Sequence, residues 1–133
     1  MSLKNKNWKV ANEKYLVQQA NEPDVIELAS GVQYKILTKG NGARPSKRSL
    51  VTVHYSGSLI NGTVFDDSYS RNCPEVFRVN EVIDGWQEAL QLMQAGDKWQ
   101  LAIPYHQGYG TRRMDEIPGY STLLFDVELI AVN

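Results

Sequence analysis

Aromatic side chains, rather than acids, bases or metal ligands, are the chemically distinctive residues of this sequence. Six of them fall on or beside predicted strands and a predicted helix, with few titratable companions: Tyr55, Phe65, Phe77, Trp86, Tyr109 and Phe125. Clustered rings form a water-poor surface that binds apolar groups. Each ring taken alone is better explained by ordinary core packing, so a binding site requires that the six lie together.

Motifs for conventional catalysis or metal binding do not occur in the chain. The histidines, His54 and His106, lack HExxH or CxxC spacing, which argues against a metal site. The G-x-S-x-G elbow of serine hydrolases is also missing. Gly40-Asn41-Gly42 begins like a dinucleotide-binding motif, but Pro45 occupies the third glycine position. We therefore expect no metal and no cofactor.

The composition fits one globular domain with a short appendage. The chain has 133 residues, of which 42% are hydrophobic, enough for one substantial core. Fourteen Lys and Arg residues face fifteen Asp and Glu residues, for a net charge of -1, so nucleic acid is not an expected partner. No apolar run reaches the roughly 18 residues of a membrane span. The single Cys73 cannot form an internal disulfide and leaves the compartment open.

The elements that must position the aromatic residues are mainly strands. Apolar and polar residues alternate over 32–36, 51–55, 99–103 and 123–131, which predicts half-buried antiparallel strands. Between two of them, Asn61-Gly62 predicts a type I′ hairpin turn.

One short helix interrupts the predicted strands. Its apolar residues recur at helical spacing: Ile83, Trp86, Leu90 and Met93. We expect Asp84 to cap the start together with Gln87, and Gly96 to close the end. A single helix among long strands predicts an α+β domain with a curved sheet folded over it.

A second helix is predicted near the N-terminus. Over residues 5–21 the apolar side chains again follow a helical period: Trp8, Ala11, Tyr15 and Leu16. The segment 22–31 contains Pro23 and Gly31 and is typical of a connector. We therefore divide the chain into an N-terminal helix with its connector at 1–30 and a main domain at 31–133.

Five ordered blocks of the sequence resemble the FKBP family of peptidyl-prolyl cis/trans isomerases. They are V-T-V-H-Y-S-G at 51–57, G-T-V-F-D-D-S at 62–68, V-I-D-G-W at 82–86, G-Y-G at 108–110, and I-P-G-Y-S-T-L-L-F-D-V-E-L at 117–129. The resemblance implies a five- or six-stranded antiparallel sheet wrapped around the short helix, with a hydrophobic cleft between them. It also implies isomerase activity on proline-containing polypeptides.

Site residues follow from the resemblance, position by position. Catalytic roles fall on Tyr55, Asp66 and Tyr109, with Arg71 in support. Substrate-binding roles fall on Phe65, Phe77, Val82, Ile83, Trp86, Ile117 and Phe125, with Trp86 as the cleft floor. By the same resemblance, the Tyr109 hydroxyl and the Ile83 N–H hold carbonyl groups of the peptide.

Other interpretations of the same residues stay open. Without the family, Asp66 is better explained as an ion-pair partner that holds a loop. The same cleft also fits a noncatalytic peptide-binding or chaperone module. Macrolide inhibitors are further ligands that the resemblance implies, but Glu75 and Gln107 replace residues that are often apolar in relatives.

The N-terminal helix is similar to the helix that precedes the domain in bacterial, macrophage-infectivity-potentiator-like members. Those members are often exported and dimeric. The resemblance therefore points to a homodimer formed through this helix, and to the periplasm or cell envelope ahead of the cytoplasm. An apolar helix face can equally pack on its own domain, so that alternative stays open.

Overall fold

The computed structural model describes residues 1–133 as two α-helices and one antiparallel sheet. The helices are α1 (Leu3–Gln19) and α2 (Asp84–Leu92). The strands are β1 (Ile26–Glu27), β2 (Gln33–Thr38), β3 (Leu50–Ser58), β4 (Val64–Asp67), β5 (Glu75–Arg78), β6 (Lys98–Ile103) and β7 (Leu123–Val132). Short 3-10 helices at Val79–Glu81 and Tyr105–Gln107 complete the structure.

The predicted α+β class is confirmed, and the sheet has seven strands rather than five or six. Its order is β1-β2-β6-β7-β3-β4, with β5 also paired to β3. β4 pairs with residues 56–58 of β3 and β5 pairs with residues 50–53. The two strands therefore share one edge, interrupted by a loop that carries Arg71, and β1 adds only two residues. The sheet is thus six positions wide.

The predicted alternation of strand residues is confirmed by burial. Along β3, Val51, Val53 and Tyr55 are buried while their neighbours are partly exposed. β7 repeats the pattern from Leu123 to Leu129. Because β6, β7 and β3 are adjacent, their buried side chains lie on one face of the sheet and form the core against α2.

Helix α2 lies across this inner face of the sheet. It buries Gly85, Trp86, Ala89 and Leu90. A Cβ atom at Gly85 would lie 2.6 Å from a side-chain carbon of Ile103 on β6, so glycine is required for this close approach. The short helix is thereby pressed against the sheet, with Trp86 in the space between them.

Both predicted caps of α2 are wrong. Ile83 is the N-cap, and no side chain caps the helix there. Asp84 is already the first helical residue, where the helix dipole favours its charge. At the other end Met93 is the C-cap in an extended conformation. Gly96, with φ of +96°, lies in the following turn and contacts Gly40.

The predicted type I′ hairpin turn is also wrong in type. Gly62 has φ of +89°, but Asn61 is not among the residues with positive φ. The Gly62 N–H donates to Leu59 O at 3.0 Å, and the Leu59 N–H donates to Thr63 O at 2.9 Å. The turn is therefore centred on Ile60 and Asn61, and the glycine alone takes the left-handed conformation.

Helix α1 packs on the domain in a way its apolar residues did not predict. Its one buried residue is Asn12, which is fully inaccessible, whereas Ala11 is exposed and Trp8, Tyr15 and Leu16 are half-buried. The predicted connector also contains β1, which pairs with β2. Neither helix has the length and apolar character needed to cross a bilayer.

Candidate active site

One cleft of about 420 Å³ lies between α2 and the inner face of the sheet. A loop of residues 108–122, called the cleft loop below, forms one of its sides. All ten residues that the sequence assigned to catalysis or substrate binding line this cleft: Tyr55, Phe65, Asp66, Phe77, Val82, Ile83, Trp86, Tyr109, Ile117 and Phe125. Arg71, to which the sequence assigned a supporting role, forms an ion pair with Asp66 and does not line the cleft.

Trp86 forms the floor of the cleft and is only 4% exposed. Three rings surround it edge-on, with centroid separations of 5.1 Å to Tyr55, 5.7 Å to Phe77 and 5.2 Å to Phe125. Its indole N–H is buried without a hydrogen-bond partner. The indole is therefore held by aromatic packing, in the edge-to-face geometry that such rings prefer.

Phe65 on β4 extends the aromatic wall towards solvent. It contacts Phe125 edge-on at 5.6 Å. Both rings lie over Gly57 of β3, where a Cβ atom would be 2.6 Å from Phe125 and 2.7 Å from Phe65. The sequence blocks included Gly57 but assigned it no role. The two rings occupy the space that a side chain at residue 57 would need.

A polar cluster lies at one side of the aromatic cleft. The Tyr55 hydroxyl donates to Asp66 Oδ2 at 2.5 Å, and Arg71 donates to Asp66 Oδ1 at 2.6 Å. Arg71 also approaches the Tyr55 oxygen at 3.4 Å and pairs with Glu75 at 3.4 Å. Glu75, whose charge argued against an apolar rim, is thus an ion-pair partner of Arg71.

These contacts keep the cluster in one charge state. Burial raises the pKa of Tyr55 to about 12, and the Asp66 carboxylate acts in the same direction. Burial alone would raise the pKa of Asp66, but hydrogen bonds from Tyr55 and Arg71 outweigh it and hold that pKa below its usual value. The Asp66 carboxylate is therefore ionised and the Tyr55 hydroxyl is protonated at neutral pH.

Besides the buried indole N–H of Trp86, two hydrogen-bond donors at the cleft have no partner within the protein. The Ile83 N–H makes no backbone hydrogen bond, because it precedes the first turn of α2, where helix donors are unpaired. The Tyr109 hydroxyl also lacks a partner, and burial together with the charges of Asp66 and Asp115 raises its pKa. Both groups are available to carbonyl oxygens of a ligand.

The sequence assignment missed four residues at the cleft rim. Glu81 follows β5, and three residues lie in the cleft loop: Met114, Asp115 and Glu116. Met114 and Ile117 exchange backbone hydrogen bonds at 2.8 and 2.9 Å, which forms a tight turn at the loop tip. The run 111–116 is rich in charged residues, but its position over the cleft depends on the loop fold.

Other parts of the surface do not reproduce this chemistry. A second hollow of about 280 Å³ lies between α1 and the outer face of the sheet, and most of its exposed lining is polar. No three His, Cys, Asp or Glu side chains come together in a group that could hold a metal ion. The aromatic cleft is therefore the candidate active site.

Sequence comparisons agree with the geometry of the cleft. A family model described as FKBP-type peptidyl-prolyl cis-trans isomerase matches residues 42–130. The chain is 48% identical over 120 residues to an FKBP-type 22 kDa peptidyl-prolyl cis-trans isomerase of Escherichia coli, covering 90% of this chain and 58% of that protein. It is 49% identical over 121 residues to the macrophage infectivity potentiator of Trypanosoma cruzi, covering 90% of this chain and 62% of that protein. The chain thus spans less than two thirds of either relative.

Solved structures share the whole fold, including α1. FkpA from Escherichia coli matches with a TM-score of 0.94 and 37% identity, over 98% of this chain and 61% of that one. A peptidyl-prolyl cis-trans isomerase from Pseudomonas syringae matches with a TM-score of 0.91 and 36% identity, over 100% of this chain and 98% of that one. With its aromatic cleft, its matching domain and these relatives, the chain belongs to the FKBP-type peptidyl-prolyl cis-trans isomerase family.

Proposed function

We propose that this chain is a peptidyl-prolyl cis/trans isomerase that accelerates rotation about X-Pro bonds in polypeptides. The observation that carries the proposal is the single cleft in which an aromatic floor, an ionised Asp66 and two unpaired donors lie together. The division into a helix with connector at 1–30 and an isomerase domain at 31–133 belongs to the same proposal.

The physical problem is a rotational barrier rather than a bond to be broken. Turning a peptide bond costs about 18–20 kcal/mol because the planar amide loses its conjugation halfway round. The twisted amide is less dipolar at its carbonyl than the planar one. An apolar cleft therefore stabilises the twisted state relative to the planar state, which is the condition for catalysis. This chemistry needs no cofactor.

The unpaired donors of the cleft orient the substrate. The Ile83 N–H, at the positive end of α2, and the Tyr109 hydroxyl hold carbonyl oxygens on either side of the proline. The prolyl ring then lies over Trp86 against the aromatic walls. With both sides of the bond held, rotation is confined to one torsion, which lowers the entropic part of the barrier.

Asp66 shapes the electrostatic field beside the twisting carbonyl. Its side chain is 39% exposed and its charge is partly offset by Arg71 at 2.6 Å. It therefore acts as a screened, ordered dipole with Tyr55 and Arg71, not as a proton-transfer group. The ion pair also holds the loop between β4 and β5, so we assign Asp66 both a structural and an electrostatic role.

A refolding assay limited by proline isomerisation tests the proposal. Uncatalysed isomerisation takes tens to hundreds of seconds, so micromolar protein should shorten the slow phase. Tyr109→Phe and Asp66→Ala should each reduce kcat/KM by roughly tenfold with smaller losses of stability. Tyr69→Phe is a matched control, because its hydroxyl bonds Glu128 on the outer face of the sheet.

The assay also separates the alternative function. If the protein binds a proline peptide, seen as a change in tryptophan fluorescence that is absent in Trp86→Phe, but leaves the slow phase unchanged, the cleft is a noncatalytic binding module. Macrolide binding at this cleft is a further proposal, tested by competition with the same peptide.

We also propose that two copies associate through α1. Leu3, Val10 and Val17 are 74%, 60% and 66% exposed. Their seven-residue spacing puts them on one side of the helix. Sedimentation of the wild type and of Val10→Glu tests the contact. A wild type that remains monomeric at high concentration would contradict it.

A further inference from the structure

Helix α1 is attached to the end of the cleft loop by polar contacts. The Thr122 N–H donates to Asn12 Oδ1 at 2.6 Å, and the Trp8 indole N–H donates to Ser121 Oγ at 3.0 Å. Asn12 Nδ2 donates to the carbonyl of Trp8 at 2.8 Å, so the amide is satisfied on both sides. Asn12 and Thr122 are 0% and 1% exposed. Buried hydrogen bonds of this kind fix the relative position of the two segments.

The attached end of the cleft loop is also bonded to the end that carries Tyr109. The Tyr120 N–H donates to Gly110 O at 3.0 Å, next to Tyr109, and the Gly110 N–H donates to Tyr105 O at 2.8 Å. The Tyr105 and Tyr120 rings meet edge-on at 5.0 Å. Tyr120 is therefore bonded directly to the backbone of the residue that follows Tyr109.

Tyr120 is held in an unfavourable backbone conformation. Its φ is +65°, a region that is costly for a bulky residue and persists only where the surroundings enforce it. One of those surroundings is α1, since Lys9 Nζ lies 5.7 Å from the centre of the Tyr120 ring. Asn12 and Trp8 hold the next two residues. The helix thus restrains the strained point of the loop.

We propose that α1 supports the isomerase site from outside the cleft, with Asn12 as a positioning residue that acts through Thr122 and Tyr120 on Tyr109. The inference rests on the proposed isomerase function and goes beyond it, because α1 does not line the cleft. It assigns the N-terminal helix a role in turnover. Loss of the Asn12 contact should release the loop and lower the fraction of time that the Tyr109 hydroxyl is in place.

The test combines kinetics with amide exchange in the full chain. Asn12→Ala removes both amide contacts, and Asn7→Ala is the matched control, since Asn7 is an exposed asparagine of the same helix. Asn12→Ala should lower kcat several-fold, by no more than the roughly tenfold expected for loss of the Tyr109 hydroxyl, with KM changed less than twofold. It should also speed exchange of the Tyr120 amide. Asn7→Ala should change neither. If Asn12→Ala folds poorly, Trp8→Phe can replace it in the test. This milder change removes the hydrogen bond to Ser121 and should lower kcat in the same direction by a smaller factor.

A double-mutant cycle distinguishes positioning from general destabilisation. If Asn12 acts through the Tyr109 hydroxyl, Asn12→Ala should have little further effect on kcat in a Tyr109→Phe background. Fully additive losses of kcat would overturn the inference, as would an unchanged kcat in a folded Asn12→Ala variant. A wild type without isomerase activity would instead overturn the proposed function, and Tyr120 exchange would still report whether α1 restrains the loop.

Discussion

The two helices of this protein are held by opposite kinds of contact. α2 has nine residues and buries four of them against the sheet. α1 has seventeen residues and buries one, the polar Asn12. Apolar burial is non-directional and scales with area, whereas a buried hydrogen bond is lost when its partners move apart. α2 is therefore the structural centre of the domain, and the polar contacts of α1 restrain the cleft loop and also reach Gln33 on β2.

The largest effect should come from removing apolar volume beneath α2. Leu90 is 1% exposed in the core, so Leu90→Ala should lower the free energy of unfolding by about 2–5 kcal/mol, measured by urea denaturation. Leu92→Ala is the control, because Leu92 is 39% exposed on the same helix. Equal losses for the two variants would contradict the view that α2 is held by buried area.

An added methyl group on the facing strand should have the next largest effect. Gly57→Ala places a Cβ atom 2.6 Å from Phe125 and 2.7 Å from Phe65, and such overpacking costs about 1–3 kcal/mol. Because both rings line the cleft, kcat/KM should fall as well. Ser58→Ala, on the next position of β3, should leave both quantities near wild type. Full activity in Gly57→Ala would show that the rings adapt without cost.

The polar side of the cleft should respond to acid. The pKa of Asp66 is lowered from 3.8 in the folded protein, so its contribution is complete above that value and is lost as pH falls through the folded pKa. The stability difference between wild type and Asp66→Asn should therefore shrink below about pH 4. It should stay below about 1 kcal/mol, since the pair is partly exposed. A difference that grows in acid would reverse the assigned sign.

The smallest effect should come from the exposed side of α1. Val10 is 60% exposed, so Val10→Ala should change the free energy of unfolding by less than about 0.5 kcal/mol. The measurement should be made at low protein concentration, where association through α1 does not contribute to the free energy of unfolding. A larger loss there would mean that α1 is held by apolar contact, as α2 is.

Local patterns predicted much of the fold. Alternation along 51–55 and 123–131 marked the two central strands, and the spacing of Ile83, Trp86 and Leu90 marked α2. These signals are local because each side chain's direction follows from its own backbone geometry. The caps of α2 and the hairpin type were missed, since they depend on a few torsions that the tertiary packing adjusts.

The cleft residues were predicted by resemblance, and their geometry came from long-range contacts. Tyr55, Trp86 and Phe125 are far apart in the chain and meet within 7 Å only after the sheet closes over α2. The ion pair of Asp66 with Arg71 likewise depends on the loop between β4 and β5. Residue types indicated the chemistry, but not the distances on which it depends.

The amino-acid order alone determined which segments become strands and helices and which rings are available for a cleft. Tertiary structure decided that Asn12 is buried, that Tyr120 is strained, and that α1 touches the loop carrying Tyr109. Strands and helices could be predicted because hydrophobic periodicity is a property of neighbouring residues in the sequence. A buried polar residue is stable only beside a hydrogen-bond partner, here 110 positions away in the chain.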